Sequence, residues 1–294
     1  MAASKLAPLT TALAAHLTLP DQPLRQECVV VVQTGITIGG VRYDTAAQLV
    51  VRKTYRQATA QGGVVELQTL DFAQEPNNEQ EELAGYLAQV KSRLLLEVDA
   101  TGQLQRVLNR DELQAKWQVL HPTLAAKYEA STEITPELLT QVGQALHRPG
   151  QLEEALTQAP EYRLLLPAIF NTPYAGSAPH PGTMVLKRFM GELDLPLLTE
   201  TRLVPPAEAG LGNTLEVLAE CDPAQFPAAG VSQAAQALAG RALDSPEFNL
   251  LHHESYTLAP GPRPQVLHAA SYTRYEVSGV VGREVTTLLT VLAD

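Results

Sequence analysis

The residues from Leu94 to Trp117, LLLEVDATGQLQRVLNRDELQAKW, constrain this chain most, because they join two periodicities that cannot belong to one element. Leu94 to Val98 is a short apolar run, Asp99-Ala100-Thr101-Gly102 has the polar start and closing glycine of a tight turn, and Gln103 to Leu108 alternates polar with apolar. That pattern predicts a β-hairpin with its glycine in a left-handed or bulge position. Asn109-Arg110-Asp111-Glu112 follows as a capping-box variant, in which the Asn109 side chain accepts from a free N–H of a helix start and Glu112 reaches back. Leu113, Trp117, Leu120 and Leu124 then fall on one helical face, with Pro122 expected to kink or restart the helix after His121. Trp117, the single tryptophan, is expected where helix meets sheet.

Upstream of the hairpin the chain reads as β. Cys28 to Ile38 is rich in β-branched residues, Gly39-Gly40 turns into the mixed segment Val41 to Thr59, and Gln61-Gly62-Gly63 turns again into Val64 to Phe72. Strands joined by glycine turns predict an antiparallel meander. Asn78 is placed to cap a helix with an acidic first turn and a Leu83, Leu87, Val90 stripe, closed by Lys91 and Arg93. Downstream, helices are expected from Arg110 to about Phe170. One starts at Thr135-Pro136, one covers Gln151 to Gln158, and an apolar one runs from Glu161 to Phe170. Asn171 to Gly182 reads as a proline- and glycine-rich loop. Thr183 to Phe189, Pro196 to Val204, Thr214 to Cys221, Leu250 to Leu258, Val266 to Val277 and Glu284 to Leu292 read as strands, with a helix at Val231 to Leu243.

This order predicts an α+β fold, a large curved, mainly antiparallel sheet with a helical insertion in the middle of the chain. Its parts are an N-terminal helix and β-meander over 1–108, a helical insert over 109–175, and a C-terminal β half over 183–294 that completes the same sheet. At 294 residues the chain is long enough to bury a substantial core.

Charge narrows the partners. Against 32 acidic residues stand 21 basic ones, with a formal net charge of −11 and no long Lys/Arg cluster, which argues against nucleic acid and anionic membrane surfaces. Cys28 and Cys221 form no CxxC pattern and read as two buried thiols, or alternatively as a disulfide across the sheet. At the N-terminus Leu6, Leu9, Leu13 and Leu17 repeat at helical spacing, predicting a short amphipathic helix, while one lysine before a broken apolar run makes a thin export signal. A soluble, cytoplasmic protein is therefore expected, with the periplasm or envelope as the alternative.

Signatures of chemistry are absent: no GxxxxGK[ST], GxSxG or HExxH occurs. On a strand, His252 and Glu254 share a face that His253 does not, and His268 on a neighbouring strand would complete a weak metal cluster. Glu79, Glu81, Glu82, Asp99, Asp111 and Glu112 have helix-start or turn roles that explain them without a ligand. Trp117, His121 and Tyr128 lie on or near one helical flank and are the candidates for lining a groove.

The run Val98 to Trp117, VDATGQLQRVLNRDELQAKW, resembles stretches of uncharacterised β-rich bacterial proteins, some of them exported to the envelope. The order of elements is similar to that of half-barrel carriers of the lipoprotein-localisation type, whose curved sheet encloses a hydrophobic cavity. That resemblance implies lipid carriage and brings no catalytic residues, while the large helical middle departs from it. The expected function is non-enzymatic binding or assembly, with a protein or an apolar small molecule in a groove between sheet and insert and no cofactor. The alternative is a hydrolase of unrecognised type, possible with metal assistance from His252, Glu254 and His268.

Overall fold

A computed structural model describes residues 14–59, 61–175, 178–191, 193–206, 212–241, 243, 247–261 and 265–292. Strand β1 (Ala14–His16) leads through buried Leu17 and Leu19 into three long strands, β2 (Leu24–Ile38), β3 (Val41–Thr59) and β4 (Gly62–Gln74). Leu17 thus follows a strand rather than ending a helix, and the rest of the expected N-terminal helix lies outside the described residues. Alternate residues Cys28, Val30, Leu49, Val51, Val65 and Leu67 are buried, so the meander covers a core with one face. Helix α1 (Glu79–Val90) is capped as its sequence suggests, Asn78 Oδ1 accepting from Glu81 N at 2.9 Å.

The organising hairpin is β5 (Arg93–Asp99) and β6 (Leu104–Val107). Asp99 Oδ1 accepts from Thr101 N at 2.9 Å and Gln103 N at 3.0 Å, and Gly102 sits at φ 92°. A Cβ at Gly102 would come within 2.6 Å of the Phe170 ring, so conformation and close approach both require glycine there. The cap after the hairpin departs from expectation. Asn109 makes no side-chain cap bond; its Oδ1 accepts from Leu95 N at 2.8 Å and its Nδ2 donates to Arg93 O at 3.0 Å, pinning the helix start to β5 instead.

The insert comprises α2 (Arg110–Lys127), α3 (Pro136–His147), α4 (Gln151–Gln158) and α5 (Pro160–Leu165). Helix α2 runs unbroken through Pro122, and Leu113, Trp117 and Leu124 are its buried residues. Helix α5 is shorter than expected. The residue before Pro167 is disfavoured in helical conformation, and Lys53 Nζ donates to the terminal Leu165 carbonyl at 2.6 Å. Within the expected loop, β7 (Pro173–Ala175) pairs antiparallel with β1.

Then follow β8 (His180–Met190), β9 (Leu193–Val204), β10 (Thr214–Cys221), α6 (Ala228–Ala239), β11 (Phe248–Leu258), β12 (Val266–Val277) and β13 (Val281–Val291). One open, curved antiparallel sheet of eleven strands results, in the order β6-β5-β4-β3-β2-β13-β12-β11-β10-β9-β8. The chain's two β regions join where β13 pairs with β2, Leu289 opposite Val30.

The strands flanking the insert, β6 and β8, are the two opposite edges of this sheet. Ten inter-strand steps of about 4.8 Å would make a flat sheet roughly 48 Å broad, and the chain between β6 and β8 must cross it. Helix α1 packs on β4, α2 on α1, α3 on α2, α4 on β6, and α5 on β2, β12 and β13. A main core fills the space beneath the insert; a second joins α6, through Val231 and Ala235, to Leu195, Leu197 and Val277. No described helix is long and apolar enough to cross a membrane.

Candidate functional site

Between the two cores the inner face of the sheet is not fully covered. Register places Thr201, Val217, Glu254, Ser271 and Thr287 in one row across β9 to β13, and Thr199, Ala219, His252, Thr273 and Val285 in the next. Most of these side chains are small, so the insert cannot close down on them everywhere. A groove of about 640 Å³ remains, with Leu156, Tyr162 and Leu166 on its helical wall, Ile169 beyond α5, and Val217, Tyr256 and Val285 among its sheet residues. This volume lies in the range that accommodates one small molecule, about 300–1,000 Å³.

One charged cluster crosses the groove. Arg163 of α5 reaches the sheet, where its Nε pairs with Glu254 Oε1 and its Nη2 lies 3.4 Å from His252 Nε2 and 3.0 Å from Met184 Sδ. Tyr256 Oη donates to Glu254 Oε2 at 2.8 Å, and His252 Nδ1 lies 2.8 Å from Thr273 Oγ1. His252 Nε2 also lies 3.3 Å from Glu254 Oε1, so this ring nitrogen faces both the guanidinium and the carboxylate. Burial pushes His252 below the usual imidazole value, against the pull of Glu254. Burial also works against charge on Glu254, but Arg163, His252 and Tyr256 outweigh it and hold the carboxyl at about 2. Near neutrality the cluster is an ionised carboxylate, a neutral imidazole and a guanidinium.

A second arginine faces the groove differently. Arg283, on the inner face of β13 opposite Tyr275, has a buried Nε without a hydrogen-bond partner, and no described carboxylate pairs with it. Its charge lies near Tyr275, where it offsets part of the upward push that burial gives the phenol.

The sequence candidates are separated by the fold. Trp117 packs against α3, where a Cβ at Gly143 would fall 2.7 Å from the indole Nε1, so it marks a helix–helix contact and not the helix–sheet contact expected of it. His121 stacks edge-on against Trp117 at 5.5 Å, whereas Tyr128 lies towards α1, its hydroxyl 3.1 Å from Glu82 Oε2. None of the three lines the groove. His252 and Glu254 do meet, 3.3 Å apart. His268 stands on the outer face, exposed and 3.4 Å from Thr290 Oγ1, because its position on β12 has the opposite parity to Ser271 and Thr273. Among the described residues no three His, Cys, Asp or Glu side chains are gathered as a metal site, and Cys28 and Cys221 are separate thiols. Sequence reasoning passed over Arg163, Arg283 and Tyr256. The arginine inside the apolar run EYRLLLPAIF, and the period-two HxExY of β11, were the available signals.

No family model matches the chain, and none of the curated proteins does. Among solved structures, one of lipovitellin, described for its lipid–protein interactions, aligns with 94% of this chain at 8% identity and a TM-score of 0.44. The chain spans about a quarter, 25%, of that protein's length. A crystal structure from Vibrio parahaemolyticus, assigned as an outer membrane lipoprotein-sorting protein domain, aligns over 91% of this chain and 86% of its own at 9% identity, with a TM-score of 0.26.

Proposed function

We propose that this chain is a non-enzymatic binding protein that holds an apolar small molecule in the groove between the sheet's inner face and helices α4 and α5. The observation that carries this reading is the groove itself, whose walls include Leu156, Leu166, Ile169, Val217 and Val285 and which lies between two packed cores. Apolar surface entering such a space is stabilised by about 25 cal/mol per Å² removed from water.

The test uses the uncharged fluorophore N-phenyl-1-naphthylamine. Saturable binding to the intact protein, lost in a Thr201→Phe variant that fills the groove but keeps the native fold by circular dichroism, is the expected result. Absence of binding, or binding that Thr201→Phe leaves unchanged, overturns the assignment, as does saturable turnover of any small substrate.

A further inference from the structure

We infer that the ligand of this groove is an anionic amphiphile, its carboxylate or phosphate head held by Arg283 and its apolar tail lying between the sheet and α4–α5. The inference rests on the binding reading above and adds the ligand's charge. The two arginines in the groove differ in one decisive respect. Arg163 is already neutralised by Glu254, and its nitrogens also approach His252 and Met184. Arg283 has no carboxylate within ion-pair reach among the described residues, and its Nε is buried without an acceptor.

An arginine with an unmet buried donor is costly to keep unless something supplies the missing acceptor. Tyr275 does not fully do so. Its hydroxyl donates to the Phe189 carbonyl and has one oxygen to offer a guanidinium with five N–H groups. A carboxylate or phosphate matches the guanidinium fork in both charge and geometry.

The placement also suits an amphiphile. Arg283 lines the groove and is only half-buried, so a head group held there keeps contact with solvent. Val285, two residues along the same face of β13, and Tyr162, Leu166 and Ile169 opposite give the tail an apolar path away from the charge.

The experiment is calorimetric titration of the intact protein with hexadecanoate, 1-palmitoyl lysophosphatidate and hexadecan-1-ol, each below its micellar concentration. The two anions are expected to bind at least about tenfold more tightly than the alcohol, the strength of a hydrogen bond to a charged group. Arg283→Met should remove that advantage while leaving alcohol binding unchanged, and Arg283→Lys should restore part of it. Comparison of the two anions distinguishes a free carboxylate from a phosphate head. Equal affinity for anion and alcohol, or an equal loss of both in Arg283→Met, overturns the anionic assignment and leaves apolar binding standing. No binding by any of the three overturns both.

Discussion

Arg163 of α5 and Glu254 of β11 form an ion pair inside the groove, the glutamate side chain 7% and the arginine side chain 28% exposed. The pair ties the insert to the sheet at the point where apolar packing is interrupted. Arg163→Met would strand a buried charge and is expected to cost about 3 kcal/mol, whereas Arg163→Met combined with Glu254→Gln should recover most of that loss. Urea denaturation of the two single variants and the double variant checks this; additive losses would show that the side chains do not act as a pair.

Acid should destabilise the protein in two windows. His252 has a folded pKa below its unfolded value, so its contribution is complete above about pH 6.5 and declines as pH falls through the folded value. Glu254, held at about 2 against an ordinary 4.5, contributes stability above the ordinary value that is lost as pH falls from there towards 2, on the order of 3 kcal/mol. Unfolding free energies of the native protein, His252→Gln and Glu254→Gln across pH 8 to 3 separate the windows: the first variant should flatten the upper one and the second the lower. Parallel pH profiles for all three would contradict the assignment.

Asn109 distinguishes a cap from a stitch. Because its amide bonds Leu95 N and Arg93 O rather than the helix's own N–H groups, Asn109→Ala should cost about 1–3 kcal/mol. Asn109→Ser, a good helix cap, should not rescue it. Recovery of full stability by serine would restore the capping role.

Gly143→Ala opposes helix propensity to packing. Alanine gains about 1 kcal/mol in an ordinary helix, but here its methyl would stand 2.7 Å from Trp117 Nε1. The expected outcome is net destabilisation of about 1–2 kcal/mol with a shift in the emission of the single tryptophan. A more stable protein with unchanged emission would mean that the indole is free to move aside.

Much of the fold was legible because its signals are local. Strands with apolar residues at every second position, glycine turns, the Asn78 and Thr135 caps and the Gly102 turn are each fixed within a few residues, and they reappear where the sequence places them. The same local logic placed His252 and Glu254 on one face. It failed where a partner from elsewhere in the chain competes: Asn109 turns to β5, α5 stops where Lys53 meets it, and Trp117 packs on another helix instead of the sheet.

A groove between sheet and insert was expected, but which residues line it was beyond reach for the same reason. Its volume depends on the strand order, which puts the small residues of β9 to β13 in adjacent rows and makes the insert span the sheet from edge to edge. Sequence by itself determined most of the long strands and helices and the face their side chains take, since period and turn chemistry are properties of short segments. Only the tertiary structure decided that Arg163 is paired and Arg283 is not, because whether a charge finds a partner depends on distances between residues far apart in the chain.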